Sequence, residues 1–287
     1  MGKEKREINY QKSGYLHSDC RLFHLKDTTL RTFDFHYHDF HKILIFLNGN
    51  ADYIIEGRRY DLQPFDILLI PAGEIHKPVI RGNAPYERII LYISPDFFTE
   101  NSTADTNLFT CFETAGKRSS NLIRLKEDEP SYLTDSPIIT FIKQLALLPL
   151  SSDIRNDGVN PFGAKLYQKI KVLEFLILLN RTTLTSRADF SNPVTRHPAV
   201  LSIMEYINNH ITEDLSIKAI ADAMFLNRSY IMHLFKSETG YTIGQYITKK
   251  RLFLTNQYRS QGLSLTESCF KSGFRNYSAY YHANRQK

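Results

Sequence analysis

The 287-residue sequence has few cysteines and no long hydrophobic run. Cys20, Cys111 and Cys269 are far apart and form neither a CxxC metal motif nor an even-numbered disulfide framework, so we expect reduced thiols. The most apolar stretch, 172–179, is much shorter than the roughly 20 residues of a membrane span. Residues 1–8 lack the apolar core of a secretory signal and the pattern for myristoylation. These absences predict a soluble, cytoplasmic protein without a membrane partner.

The excess positive charge lies in the last third of the chain. Residues 196–287 contain six lysines, six arginines and six acidic residues, which accounts for the whole net charge of +6. The preceding residues therefore carry equal numbers of acidic and basic groups. A basic segment of this kind is typical of proteins that contact polyphosphate, and a solvated basic surface is the alternative explanation.

Changes in pattern divide the chain into four parts, and its length alone predicts about two domains. Residues 20–93 read as short strands separated by turn signals, which predicts a small antiparallel barrel or sandwich, and we assign residues 1–130 to this N-terminal domain. Residues 131–185 contain two helical patterns and form a connector, and the polar residues 186–197 form a linker. Residues 198–287 follow the helical period throughout. The predicted fold class is α+β, with an N-terminal antiparallel β-barrel and a C-terminal all-α domain.

The second helical pattern of the connector carries an apolar stripe. The stripe consists of Leu166, Ile170, Leu173, Leu176, Ile177 and Asn180. Periodicity predicts that such a face is buried, but it does not identify what covers it. The cover is either the barrel or the same helix of a second subunit, and the second alternative predicts a homodimer.

The C-terminal part contains a repeat displaced by 48 residues. Each copy begins with a serine that can cap a helix, Ser216 in the first copy and Ser264 in the second. A tight turn and a second helix follow, and the small side chain of Ala221 or Cys269 lets the two helices cross closely. The repeat predicts two helix-turn-helix units, joined by a long helix over 243–260, each with a second helix that can enter a major groove.

The same part contains EDLSIKAIADAM at 213–224, SYIMHLFKSETG at 229–240 and QYITKKRL at 245–252. In order and spacing these segments resemble the AraC/XylS family of bacterial transcription regulators, across residues 198–287. The resemblance implies two helix-turn-helix units that present their second helices to successive major grooves of double-stranded DNA. RNA polymerase is a further candidate partner.

The family resemblance also implies which residues contact DNA. In the first unit the base-reading residues are Ser229, Met232 and His233, and Arg228 and Lys236 are placed for phosphates. Ser229 and His233 offer hydrogen bonds to base edges, whereas Met232 offers apolar contact, for example with a thymine methyl group. The corresponding residues of the second unit are Asn276, Tyr277, Tyr281 and His282. For each residue the alternative is an exposed helix position without a base contact.

The second unit departs from the family pattern. Ser268 replaces an apolar residue, Asn284 replaces an aromatic residue, and the chain stops at Lys287 before the usual closing helix. A polar core group without a partner costs about 1–3 kcal/mol, so we expect the second unit to be less stable than the first. The chain is either truncated or degenerate in this half.

The N-terminal part contains HYHDFHK at 36–42 and PAGEIH at 71–76, which resemble the two cupin motifs of many AraC-type sensor domains. Metal-binding cupins use two histidines, a glutamate and a third histidine. His36, His38 and His76 are present here, but Lys42 occupies the glutamate position. Residues 36, 38 and 42 share strand parity and should project to one face. A protonated lysine repels a cation, so we expect no metal and no cofactor.

Two interpretations of the barrel residues remain open. Either the histidines pack the barrel mouth, or His36, His38, Lys42 and His76 form a cationic pocket for a small-molecule effector, a carboxylate or a hydroxylated compound such as a sugar. We therefore predict an effector-responsive, DNA-binding transcription regulator that is not an enzyme. The alternatives are a cupin enzyme with an appended helical module, which Lys42 disfavours, and an interaction protein that does not bind DNA.

Overall fold

The computed structural model describes residues 16, 18–29, 32–82, 85–126, 136–147, 162–185, 187–193 and 197–285. The strands within these residues are β1 (Cys20–Asp27), β2 (His41–Asn48), β3 (Ala51–Ile55), β4 (Arg58–Asp61), β5 (Ile67–Ile70), β6 (His76–Ile80), β7 (Tyr86–Ile93), β8 (Leu122–Leu125) and β9 (Ala188–Phe190). The helices of the N-terminal half are α1 (Pro95–Asn101), α2 (Thr110–Lys117), α3 (Pro137–Leu147) and α4 (Ala164–Thr183). The helices of the C-terminal half are α5 (Pro198–Asn209), α6 (Ile217–Ala223), α7 (Arg228–Thr239), α8 (Ile243–Ser260), α9 (Leu265–Lys271) and α10 (Tyr277–Arg285).

The strands form two antiparallel sheets, one with the order β1-β7-β2-β5-β8-β9 and one with the order β4-β3-β6. Strand β2 explains why the large sheet is covered on both faces. Its Leu44 and Phe46 pack toward the small sheet, and the alternate residues Ile43 and Ile45 pack toward the helices. The predicted sheet-rich, cupin-like N-terminal domain is therefore confirmed.

Helices α1 to α4 cover the outer face of the large sheet. Phe141 of α3 and Phe175 of α4 belong to the same buried cluster as Ile43 and Ile45. The predicted connector is thus packed into the sensor domain rather than separate from it. The boundary predicted at 130/131 lies outside the described residues.

The structure corrects two predictions about this region. Residues 188–190 of the predicted linker form β9, which extends the large sheet by pairing with β8. In α4, the predicted stripe is split between a buried and an exposed part. Leu176 and Asn180 are buried, whereas Leu166, Ile170 and Ile177 are exposed. The buried face of α4 is shifted by one residue from the predicted stripe and contains Phe175. The helical period of a sequence identifies a broad apolar side of the helix, but it does not locate the centre of that side.

The C-terminal half is helical throughout, as predicted, and α8 has the predicted bounds. Ser216 Oγ accepts a hydrogen bond from the Ala219 amide, and Ser264 Oγ accepts one from the Glu267 amide, so both predicted N-caps are confirmed. Buried residues of α5 to α8 form one core with Phe35 and others of the sensor domain. A smaller core joins α8, α9 and α10.

Within the described segments, no helix combines the length and apolar character that crossing a membrane requires.

Candidate functional site

Three histidines of the sensor domain lie together. The ring centroids of His36 and His38 are 5.1 Å apart, those of His36 and His76 are 4.5 Å apart, and those of His38 and His76 are 5.0 Å apart. The backbones of His36 and His76 exchange hydrogen bonds of 3.1 and 2.9 Å. This bridge between two short segments brings the predicted residues into one cluster, which we call the histidine cluster.

Hydrogen bonds orient two of the rings. His36 Nδ1 lies 2.8 Å from the Asp34 carbonyl oxygen, and His76 Nδ1 lies 2.9 Å from the Glu74 carbonyl oxygen. A carbonyl oxygen only accepts, so we assign the proton of each neutral ring to Nδ1, where it is donated. The Nε2 atoms then carry lone pairs. His76 Nε2 is buried and has no hydrogen-bond partner within the described residues.

Burial keeps these imidazoles neutral near pH 7. Burial first, and then the nearby Lys42, lowers the pKa of His36 to about 4. The same two causes lower the pKa of His76 well below its usual value. The cluster therefore offers hydrogen-bond acceptors, and it is less cationic than the sequence suggested.

Lys42 lies beside the histidines and is itself buried. Its Nζ donates a hydrogen bond of 2.9 Å to Tyr53 Oη. Burial first, and then the charge of Arg88, lowers the pKa of Lys42 to about 7. Lys42 thus supplies a donor that is partly charged at neutral pH, next to acceptor nitrogens.

The histidine cluster fits a metal ion in geometry but not in charge. Its three ligand nitrogens lie within 4.8 Å of one another. Three imidazoles can hold zinc in some catalytic sites. Here, however, the position that a carboxylate would occupy is Lys42, whose charge lowers the pKa values of the histidines and opposes a cation for the same reason.

Three aromatic residues around the histidine cluster were not predicted from the sequence. The ring of Tyr53 lies 5.9 Å from that of His76, the ring of Tyr92 lies 5.6 Å from that of His38, and Phe40 stacks on His38 at 4.5 Å. Strand parity in 51–55 could have placed Tyr53 on the inner face. Tyr92 could not be found in this way, because its contact depends on how the strands pair.

The predicted residues of the first recognition helix share an open surface. Arg228, Ser229, Met232, His233 and Lys236 are all exposed on α7. Their spacing of three and four residues keeps them on one side of the helix. The opposite side of α7 is buried in the core of the C-terminal half. Asn227 Oδ1 caps the helix by accepting from the Ser229 amide at 2.8 Å.

The second recognition helix, α10, is exposed at Tyr277, Tyr281 and His282. Tyr277 and Tyr281 stack at 6.5 Å. Asn276 is exposed too, but its Oδ1 accepts a hydrogen bond of 2.8 Å from the Ala279 amide. Asn276 thus caps α10 as Asn227 caps α7, a role that the sequence pattern did not predict.

Some basic residues of α8 are engaged inside the protein. Lys250 Nζ lies 3.0 Å from Glu56 Oε1, and Lys249 Nζ lies 4.7 Å from the centre of the Tyr37 ring. Arg251 Nε donates to a backbone carbonyl oxygen at 2.9 Å. These three side chains count toward the net charge of the segment, but they are partly buried in this conformation.

Two family models match the chain. Residues 22–125 match an AraC-like ligand binding domain, and residues 220–287 match a helix-turn-helix domain. The HTH-type transcriptional activator RhaS of Shigella sonnei is 23% identical over 240 residues, which cover 83% of this chain and 78% of that protein. RhaS of Escherichia coli (strain K12 / DH10B) is 22% identical with the same coverage.

Solved structures with similarity include ToxT from Vibrio cholerae, which is 14% identical and covers 94% of both chains with a TM-score of 0.33. A cupin 2 conserved barrel domain protein from Salinispora arenicola is 15% identical and covers 30% of this chain and 71% of that chain, with a TM-score of 0.26. The matched models and relatives agree with the two halves of the fold. The chain belongs to the AraC family of transcriptional regulators, with an N-terminal sensor domain and a C-terminal helix-turn-helix domain.

Proposed function

We propose that this chain binds double-stranded DNA sequence-specifically and responds to a small-molecule effector, and that it is not an enzyme. The observation that carries the proposal is the exposed face of α7, which displays polar and basic side chains on a helix whose other face is buried. A rigid, capped helix with such a face can lie in a major groove.

The proposed roles on α7 follow from side-chain chemistry. His233 and Ser229 can hydrogen-bond base edges, and Met232 can contact a thymine methyl group. Arg228 and Lys236 flank this face and would neutralise phosphates. On α10, Tyr277, Tyr281 and His282 form the equivalent face, and the side-chain amide of Asn276 keeps a donor while its oxygen caps the helix.

DNA binding is tested with the full chain and a labelled random-sequence duplex. Phosphate contacts release counterions, so six or more contacts would lower affinity by about a thousandfold between 50 and 200 mM salt. The exposed basic residues that carry this expectation are Arg228, Lys236, Arg259, Lys271, Arg275 and Arg285. An affinity that does not change with salt would remove the electrostatic argument and favour the interaction-protein alternative.

The effector is proposed to bind at His36, His38, Lys42 and His76. His36 and His76, whose Nδ1 protons are donated to backbone carbonyl oxygens, can accept hydrogen bonds at Nε2, whereas Lys42 donates. A hydroxylated compound such as a sugar satisfies both, because each hydroxyl group donates and accepts. A carboxylate satisfies Lys42 alone. In the alternative interpretation, the histidines pack the barrel mouth and bind no ligand.

Thermal unfolding in the presence of a panel of monosaccharides and small carboxylates distinguishes these cases. We expect a sugar to raise the midpoint in the wild type and not in His76→Gln. His24→Gln, on β1 and paired with Glu87, is the matched control. Stabilisation by carboxylates only, lost in Lys42→Met, would replace the sugar proposal; stabilisation by neither class would favour the packing interpretation.

We further propose that the purified protein holds no stoichiometric transition metal. Lys42 replaces the carboxylate ligand of metal cupins, so Lys42→Glu should increase metal retention. Elemental analysis of both proteins tests this. One metal per chain in the wild type, unchanged by Lys42→Glu, would support the cupin-enzyme alternative.

The proposed oligomer is a homodimer formed through α4. The exposed apolar residues Leu166, Ile170 and Ile177, with the partly buried Leu173 between them, follow the alternating spacing of four and three residues that a helix pair buries. Sedimentation velocity should show a dimer for the wild type and for the control Lys165→Glu, and a monomer for Ile170→Glu. A dimer in all three would place the interface elsewhere.

RNA polymerase stays a proposed partner, and the cytoplasm is the proposed location because bacterial DNA lies there.

A further inference from the structure

The turn between β3 and β4 projects into the C-terminal half. Glu56 and Gly57 form its tip, with positive φ values of 46° and 73°. A Cβ atom on Gly57 would lie 3.3 Å from Val200 Cγ1 of α5. The tip therefore packs closely against the first helix of the DNA-binding domain, and the backbone there has little room to move.

Glu56 joins the two domains through a buried carboxylate. Its Oε1 accepts a hydrogen bond of 2.8 Å from the Ile75 amide and forms an ion pair with Lys250 Nζ at 3.0 Å. Its Oε2 accepts a hydrogen bond from Tyr246 Oη. The Glu56 residue is only 6% exposed. A buried charge that loses its partners is strongly unfavourable, so this carboxylate favours the arrangement in which both domains contact it.

The contacts made by α8 lie on one face. Tyr246, Lys249, Lys250 and Phe253 are spaced by three, one and three residues, which places them on one side of the helix. Lys249 lies over the ring of Tyr37. Phe253 packs on Gly73, where an added Cβ would lie 2.8 Å from the ring. The helix that joins the two helix-turn-helix units is thus held along this face by the sensor domain.

The two sensor segments that touch this face also build the histidine cluster. In 35–38, His36 and His38 belong to the cluster, whereas the alternate residues Phe35 and Tyr37 belong to the core shared with the DNA-binding domain. In 73–76, His76 belongs to the cluster and Ile75 belongs to the shared core. The His76 ring is also hydrogen-bonded to the backbone of Glu74. One side of each segment therefore contacts the candidate effector site, and the other side contacts the DNA-binding domain.

We propose that Glu56 is a positioning residue that holds α8 against the sensor domain, and that segments 35–38 and 73–76 transmit changes in the histidine cluster to α8. Since α8 separates the two recognition helices, its position sets how they meet DNA. Only this last step depends on the proposed function, and the contacts themselves do not.

Hydrogen exchange of the full-length protein, measured without DNA, tests the transmission. His36→Gln perturbs the cluster at a half-buried position that should still fold. We expect it to increase amide exchange in α8 by about tenfold, because the segments that support α8 loosen. The control His24→Gln should leave α8 unchanged. The expected increase should shrink or vanish when Glu56→Gln is already present, since α8 is then released from the sensor domain.

The outcomes are distinct. An α8 whose exchange is the same in the wild type, His36→Gln and Glu56→Gln would overturn the proposal. If His36→Gln increases amide exchange in α8 equally in the wild-type and Glu56→Gln backgrounds, transmission follows another route. That result would also overturn the role of Glu56. Lys250→Met is the second variant that should release α8 if Glu56→Gln does not fold. If the histidine cluster and α8 are coupled as proposed but the protein does not bind DNA, only the proposed function is contradicted.

Discussion

The two helix-turn-helix units share their local design but differ in what surrounds them. Both first helices begin at a serine cap, and both turns use a positive φ, 52° at Phe225 and 94° at Gly273. The buried core of the first unit extends into the sensor domain and includes Phe35 and Tyr37. The core of the second unit contains four buried residues of α8 to α10 and the turn. We therefore expect the same local pattern to lead to different stability, because most helical stability comes from tertiary packing.

Polar contacts connect the second unit to the first. Arg251 donates to the carbonyl oxygens of Ile211 and Glu213, at 2.9 and 2.6 Å. Within the second unit, the hydroxyl groups of Thr255 and Ser272 lie 2.6 Å apart in the interior. The hydrogen bonds of Arg251 position the second unit, whereas the buried apolar clusters of the two units are separate. We expect the second unit to unfold before the first.

Truncation of one core phenylalanine in each unit should show the largest difference. Phe235 is fully buried, so Phe235→Ala should cost about 3–5 kcal/mol and should also loosen the sensor domain that shares its core. Phe274→Ala should cost roughly 2–3 kcal/mol, because a small core at the end of the chain can relax around the cavity. Urea unfolding combined with hydrogen exchange separates the two units. Equal losses spread over both domains would contradict the comparison.

A change of pH should affect the first unit and not the second. Burial, and then the nearby Glu56, raises the pKa of Glu74 from 4.5 to about 7. A raised pKa gives stability that is complete below pH 4.5 and is lost as the pH rises toward 7, here by roughly 1–3 kcal/mol. The groups around Glu74 are Glu56, Arg58, Asn121, Tyr246 and Lys250.

Hydrogen exchange of α7 and α8 between pH 5 and pH 8, corrected for the intrinsic rate, measures this loss. Glu74→Gln should abolish the loss of first-unit stability as the pH rises. Lys42, whose pKa is lowered to about 7, contributes with the opposite sign, so a gain of stability with rising pH should remain. Exchange of α9 and α10 should not follow the same curve. A loss of stability with rising pH that survives in Glu74→Gln would point to another group.

Substitutions on the recognition helices should separate base reading from phosphate binding. His233→Ala should reduce discrimination between a selected genomic fragment and random DNA by roughly 1–3 kcal/mol, whereas Lys236→Ala should weaken both about equally. His282→Ala in the second unit should have a smaller effect than His233→Ala, because that unit is less firmly held. Parallel losses on both DNAs for both first-unit variants would show that the assignment of the α7 face is wrong.

The smallest effect is expected at Ser268. Its hydroxyl group is fully buried and has no hydrogen-bond partner among the described residues. Ser268→Ala should therefore stabilise the second unit by about 1 kcal/mol, as measured by local exchange in α9 and α10. Ser272→Ala is the matched control and should destabilise, since that hydroxyl group is bonded. No gain at Ser268 would mean that its hydroxyl group is satisfied in solution.

Much of the C-terminal half was predictable because its signals are local. The caps at Ser216 and Ser264 and the bounds of α8 followed from short patterns. The lower stability of the second unit stays a prediction, and one of the two substitutions behind it is buried: Ser268 has no hydrogen-bond partner among the described residues, whereas Asn284 is only partly buried. The role of Asn276 as a cap was missed, because an exposed asparagine before a helix fits both a cap and a base contact.

The sequence by itself determined the helices and strands, the repeat, and the histidines and lysine that gather in the sensor domain, since period, capping and strand parity depend on neighbours along the chain. It could not determine that Lys42 donates to Tyr53, which half of the α4 stripe is covered, or that α8 is held by Glu56. Glu56 and Tyr246 are far apart in sequence, and nothing local marks either as a partner of the other. Only tertiary packing decides such pairs, because the energy of a buried charge depends on what surrounds it in space.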